Sequence, residues 1–189
     1  MDELLTRSPS VMLGYWNNPE ATQASIDNDG WFHTGDRVRI DEDGHIFITG
    51  RIKEIIVMSN GEKVPPADME NAVTIDSLFL QVMVLGEARP YLTVLAVLDK
   101  KEYAKLAEAE GLSADLAAER QGDKLQTILV KRIAERLREF PGYAKIPRVA
   151  VLDTPWTVES GLMTPTLKLR REKILASCQS EIDWLYAGH

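Results

Sequence analysis

A single cysteine in 189 residues, Cys178, excludes an internal disulfide framework and points to a reducing, cytoplasmic setting. No apolar run approaches the ~20 residues that span a bilayer, and no basic stretch followed by an apolar one opens the chain as a secretion signal would. Membrane association is therefore left to peripheral contact by other parts of a longer protein. Basic residues are scarce too: 22 Lys and Arg stand against 29 Asp and Glu, a net charge of −7. That balance excludes nucleic acid as a partner, because nothing neutralises a phosphate backbone, and it requires any polyphosphate ligand to be held by a few local cations. A glycine-rich phosphate loop ending in Gly-Lys-Ser/Thr is absent. His33, His45 and His189 lack metal-ligand spacing with any acid or with Cys178, so no protein metal site is expected. With no histidine near it in sequence, Cys178 reads as a packed thiol, not a nucleophile.

What is present is ordinary globular composition, 44% hydrophobic and 27% charged. In the first third, Gly14, Pro19, Gly30, Gly35, Gly44, Gly50 and Gly61 punctuate short apolar pieces such as Ile46-Phe47-Ile48 and Ile55-Ile56-Val57-Met58. This pattern predicts strands and hairpins, with a reversal at Asp41-Glu42-Asp43-Gly44. After Pro65-Pro66 the period changes. A short helix carries Met69 and Val73, and two buried strands run over 80–85 and 91–98. Asp99 with Glu102 has the spacing of a reciprocal capping box opening a helix that stops near Gly111. Leu125, Ile128, Leu129, Ile133, Leu137 and Phe140 predict a second helix, ended by Pro141-Gly142. A strand over 147–153, a loop over 154–166 and a helix over 169–186 complete the pattern. The expected fold class is α+β, with a β-rich segment 1–51 too short to close a core and a self-sufficient domain 52–189.

Three segments can carry chemistry. In His33-Thr34-Gly35-Asp36, glycine lets the backbone approach a ligand while the carboxylate accepts two hydrogen bonds, as a ribose diol requires; a plain β-turn fits the same letters. Arg51, in Gly50-Arg51-Ile52-Lys53-Glu54, can donate to ribose or phosphate oxygens, although surface arginines are common. Lys168, at the end of Leu162-Met163-Thr164-Pro165-Thr166-Leu167-Lys168, can bring an ammonium to oxygens developing negative charge, or be one exposed lysine among many.

In this order the segments cease to be generic. Gly30-Trp31-Phe32-His33-Thr34-Gly35-Asp36, then Asp43 through Ile56, closely resemble the acyl-adenylate-forming (AMP-forming ligase) superfamily. Pro9 through Trp16, Pro19-Glu20-Ala21-Thr22 and Ser59 through Pro66 are similar to it as well, so the resemblance covers nearly the whole chain. Leu167 stands where that superfamily usually has glycine. With Trp156 and with Lys53 where other branches carry aspartate, this form resembles long-chain fatty acid–CoA ligases. The resemblance implies two steps: a carboxylate attacks ATP to give acyl-AMP and pyrophosphate, then the CoA thiol displaces AMP. It implies that Asp36 and Arg51 bind the nucleotide, Lys168 is catalytic in the first step and Lys53 is the hinge of a rotating small domain. It further implies that Ser59, Asn60, Gly61, Glu62 and Lys63 line the CoA channel. ATP, Mg2+ and CoA would serve a full-length parent whose large N-terminal domain holds the acyl tunnel and the magnesium ligand. The chain alone is then expected to be inactive and to hold no cofactor tightly. The rivals are a stand-alone, non-catalytic interaction or ligand-binding module and an AMP-forming ligase for another carboxylic acid.

Overall fold

The computed structural model describes residues 2–187, and the side chains of all of these except Asp2, Thr49 and Lys53. The chain divides between Ile55 and Ile56 into two compact units. In the first, β1 (Asp2–Thr6), β2 (Phe32–Ile40) and β3 (Ile46–Arg51) form an antiparallel sheet in the order β1-β2-β3. The β2–β3 reversal falls at the predicted Asp41–Gly44 turn, where Gly44 adopts φ +84° and donates its N–H to the Asp41 carbonyl at 3.1 Å. The helix α1 (Pro19–Ser25) lies in a stretch expected to be strand and turn. Local capping accounts for it: Asn18 Oδ1 accepts the Ala21 N–H at 2.9 Å, and Pro19 occupies the first turn, where its missing N–H costs nothing. Among the described residues of this unit, Val38 is the one buried apolar side chain.

The second unit opens with a short hairpin, β4 (Ile56–Val57) and β5 (Lys63–Val64), followed by α2 (Pro66–Thr74). Next come β6 (Phe79–Leu85), β7 (Thr93–Leu98), α3 (Lys100–Glu110), α4 (Leu116–Glu119), α5 (Asp123–Arg136), β8 (Val149–Leu152), α6 (Arg171–Ser177) and α7 (Gln179–Tyr186). The sheet has the order β6-β7-β8, with β6–β7 antiparallel and β7–β8 parallel. Alternation along the strands feeds two cores. Val82, Val84, Val94, Ala96, Val149 and Val151 pack with Met69, Val73, Tyr103, Leu125, Leu129 and Ile133 from α2, α3 and α5. Met83, Leu85, Leu95, Val97 and Ala150 face the other way, onto Trp156, Ile174, Ile182 and Leu185. Covered on both faces, β7 is buried at every residue, which is why its sequence is apolar throughout from Val94 to Leu98. The fold is α+β, as expected from the element order.

Three local expectations change. Asp99 caps α3 by accepting the Lys101 and Glu102 amides at 2.9 and 3.0 Å, but the reciprocal half of the box does not form. The Asp99 N–H is already given to the Leu78 carbonyl at 2.9 Å, and Glu102 pairs with Lys105. The helix α5 ends at Arg136, and Phe140 returns its N–H to Leu137 in a tight turn. The single C-terminal helix is broken at Cys178, whose ψ of +32° lies outside the helical range. Ser177 Oγ donates to the Ile174 carbonyl at 2.9 Å, a back-bond that bends helices, while Ile174, Cys178, Ile182 and Leu185 all face the core at the four- and three-residue steps of one continuous helix. No helix among the described residues is long and apolar enough to cross a membrane.

Candidate functional site

The first unit brings Asp36 and Arg51 together. They are directly opposite in the β2–β3 register, just beyond an irregularity at Arg37/Val38, and Arg51 Nε lies 3.2 Å from Asp36 Oδ1. The backbone carrying Asp36 is tied down from β1. Gly35, at φ +72°, donates its N–H to Glu3 Oε1 at 2.9 Å, a left-handed conformation that glycine adopts without strain. Thr34 Oγ1 donates to the Leu4 carbonyl at 2.8 Å and accepts the Asp36 N–H at 3.0 Å. Glu3 Oε2 is also 3.0 Å from His33 Nδ1, with Asp27 Oδ2 3.7 Å from His33 Nε2. The Glu3 contact holds the His33 imidazolium above its ordinary 6.5, with Asp27 adding to it, and lowers the Glu3 carboxyl in return. Glu3 is thus a structural member of this site that sequence reasoning missed, and it pairs with His33 of the expected segment. Glu3 carried no local signal, since its partners lie 30 and 32 residues away.

The second unit carries the other two elements. The segment Ser59–Lys63 forms the β4–β5 turn. Met58 N–H donates to the Glu62 carbonyl and Gly61 N–H to the Met58 carbonyl, both at 2.9 Å. Asn60 Oδ1 accepts the Glu62 N–H at 3.1 Å, and Ser59 N–H reaches across to the Arg89 carbonyl at 3.0 Å. Gly61 sits at φ +83°, and a Cβ there would meet no atom within 4 Å. Backbone conformation therefore requires the glycine, and open space lies over it.

Lys168 is exposed on a small antiparallel hairpin whose ladder is the Met163–Leu169 bridge. Thr164 and Lys168 exchange two bonds, Thr164 N–H to the Lys168 carbonyl at 2.9 Å and Lys168 N–H to Thr164 Oγ1 at 3.1 Å; Leu167 N–H closes the turn on the Thr164 carbonyl at 2.8 Å. Leu167 adopts φ +60°. Lys168 is thus presented by an ordered turn, not by a slack loop. Lys53 falls in a 3-10 turn over Ile52–Glu54; its side chain lies outside the described residues, as does His189.

Magnesium finds no fitting donor set at these residues. The carboxylate of Asp36 is engaged by a guanidinium. Asp41, Asp43 and His45 do gather ligand atoms within 4.8 Å of one another, a juxtaposition that the spacing argument for His45 did not foresee. Yet Asp41 Oδ1 already accepts the Asp43 and His45 amides at 3.0 and 2.8 Å, the bonds that depress its carboxyl and shape the hairpin. The cluster is accounted for as a turn.

The family model for the AMP-binding enzyme C-terminal domain matches residues 53–189. The chain belongs to this family. As a member of the AMP-binding enzyme C-terminal domain family it has curated relatives along nearly its whole length. It is 35% identical over 195 residues to the long-chain-fatty-acid–CoA ligase FadD15 of Mycobacterium tuberculosis, covering 97% of this chain and 31% of that one. It is 32% identical to a chloroplastic long-chain-fatty-acid–acyl-carrier-protein ligase of Arabidopsis thaliana, covering 96% of this chain and 25% of that one. Among solved structures, the A domain of a carboxylic acid reductase from Segniliparus rugosus, in complex with AMP and a co-purified carboxylic acid, superposes with a TM-score of 0.82 at 26% identity. That match covers 98% of this chain and 28% of the reductase chain. The chain spans a third or less of the length of these relatives.

Proposed function

We propose that this chain is the C-terminal portion of an ATP-dependent, AMP-forming long-chain fatty acyl–CoA ligase. The observation that carries the reading is Lys168: an exposed ammonium on an ordered hairpin, in a member of the AMP-binding enzyme C-terminal domain family. In the first half-reaction a fatty-acid carboxylate oxygen bonds to the α-phosphorus of ATP, and the bond to pyrophosphate breaks. Lys168 stabilises the charge that accumulates between carboxylate and α-phosphate, as a fixed donor does where charge develops. Asp36, held on one oxygen by Arg51, accepts the ribose hydroxyls on the other. In the second half-reaction a thiolate sulfur attacks the acyl carbon and AMP leaves. The 52–189 domain turns about Lys53 to bring the Ser59–Lys63 turn over the adenylate, where the open space above Gly61 receives the pantetheine arm.

ATP phosphates, Mg2+ and the acyl chain are held by a large domain preceding this chain, in the cytoplasm, with any membrane contact made by that domain. The first unit supports such a partner: Leu13, Trp16, Ile40, Ile46 and Ile48 are exposed, and its sheet needs a cover. The test compares the chain alone with the chain joined to that domain. With ATP, Mg2+, long-chain fatty acids and CoA, the joined protein forms acyl-CoA, AMP and pyrophosphate, and the chain alone releases none. Thioester formation with only short or aromatic acids would assign another carboxylic acid. No adenylate from any acid would leave a non-catalytic module.

A further inference from the structure

The Lys168 hairpin is tied at both of its ends to β6, one of the two outer strands of the sheet. Ahead of the hairpin, the Gln81 side-chain amide imitates a neighbouring strand. It donates to the Trp156 carbonyl at 2.9 Å and accepts the Trp156 N–H at 2.7 Å, and the same nitrogen lies 3.5 Å from Met163 Sδ. Trp156 is buried in the core, and Met163 donates its N–H to Thr157 at 3.0 Å, so the incoming strand of the hairpin starts from a fixed point. Behind the hairpin, Arg171 donates from Nη1 to the Val84 carbonyl at 3.2 Å and from Nη2 to Glu70 Oε1 at 2.5 Å. The same Glu70 oxygen accepts the Val84 N–H at 2.7 Å. Glu70 and Arg171 thereby take both backbone polar groups of Val84 on an edge that pairs with no further strand among the described residues, linking α2, β6 and the start of α6.

We propose that Arg171, with Glu70 and Gln81, is a positioning residue for Lys168. The two ties hold the hairpin in a single conformation, so the ammonium reaches the adenylate already in place and not by a search through loop conformers. The proposal rests on the reading that Lys168 acts in adenylation. The fork of Arg171 is what the site demands, since one nitrogen meets a carboxylate and another a carbonyl; an ammonium concentrates its donors on one atom and serves both poorly.

The test uses Arg171→Lys and, because the two ties are separate, Gln81→Ala. In the 189-residue chain, amide exchange at Leu167, Lys168 and Arg170 should accelerate about 10- to 100-fold in Arg171→Lys, the range expected for losing a charge-assisted hydrogen bond, while β7 amides are unchanged. Unchanged exchange at the hairpin in both variants would overturn the proposal. In the chain joined to its large domain, Arg171→Lys should lower the rate of acyl-AMP formation with KM for ATP retained. The same substitution added to Lys168→Ala should have no further effect, because its influence passes through the ammonium. An equal loss in both backgrounds would make Arg171 a merely structural residue and overturn the positioning role. A Lys168→Ala variant with normal adenylation would instead overturn the underlying reading of Lys168, and with it the role of Arg171.

Discussion

Replacing Leu167 by glycine should stabilise the second unit, although it removes a large apolar side chain. Leu167 holds φ at +60°, and a left-handed residue with a Cβ costs about 1–2 kcal/mol. The side chain is 69% exposed, so its truncation returns little buried area to water. Against the relief stands the greater freedom of glycine in the unfolded chain, about 0.4–1 kcal/mol. The balance favours Leu167→Gly by roughly 0.5–1 kcal/mol, a rise of about 1–4 °C in Tm for a unit of this size. Leu167→Ala is the control: it makes nearly the same truncation but keeps the Cβ in the strained conformation, so it should be neutral or slightly destabilising. Urea unfolding followed by circular dichroism compares the two variants directly. Leu167→Gly less stable than Leu167→Ala would refute the argument that backbone strain dominates here, and would mean that the side chain has packing worth more than the strain.

Other expectations concern the ion pairs and the hinge. Asp76, 5% exposed, receives Arg132 Nε and Nη2 at 2.8 and 2.7 Å and the Leu78 N–H at 3.1 Å. Asp76→Ala should cost about 2–3 kcal/mol in urea unfolding, less than a fully buried pair because Arg132 keeps access to water; a loss under 0.5 kcal/mol would show the pair to be idle. Burial opposes ionisation of Asp76, but the Arg132 bonds outweigh it and hold the carboxyl below its ordinary 3.8. Its stabilising contribution is therefore present above that value and fades as pH falls through the depressed one. In the first unit, His33 should titrate above 6.5 by NMR, and Glu3→Gln should bring it back down. With Glu3 lowered from 4.5, the pair contributes fully between 4.5 and 6.5, losing strength as pH rises through the His33 value or falls through that of Glu3; a His33 titration unmoved by Glu3→Gln would discount the contact. Finally, proline fixes φ near −65°, so Lys53→Pro in the joined protein should retain adenylation and lose most thioester formation, with Lys53→Ala mild in both. Full activity of the proline variant in both steps would place the pivot elsewhere.

Much of the second unit was legible because its helices bury residues at helical spacing: Leu125, Leu129 and Ile133 recur at four-residue steps and are fully buried. Local chemistry was read less well where a long-range bond competed with it. The Asp99 capping box fails because Leu78 claims the Asp99 amide, and the break at Cys178 is concealed because the buried residues on either side of it keep the spacing of one continuous helix. The helix at Pro19 did have a signal, Asn18 followed by proline and Glu20, but it buries nothing and so shows no periodicity. Of the candidate residues, Asp36 and Arg51 in the first unit and Lys168 in the second stood out by their motifs. The residues that tie the Lys168 hairpin did not: Arg171 meets Glu70 across 101 positions and Gln81 meets Trp156 across 75, pairings that no local pattern encodes.

The central claim, that Lys168 acts in adenylation and not in thioester formation, is tested most directly by separating the half-reactions. In the chain joined to its large domain, Lys168→Ala should slow fatty-acid-dependent exchange of pyrophosphate into ATP by about 10²–10³, the cost of removing one well-placed charge-stabilising donor. Thioester formation from supplied acyl-AMP and CoA should stay within a few-fold of the unaltered protein. Equal losses in both half-reactions, or none in the first, would contradict the account.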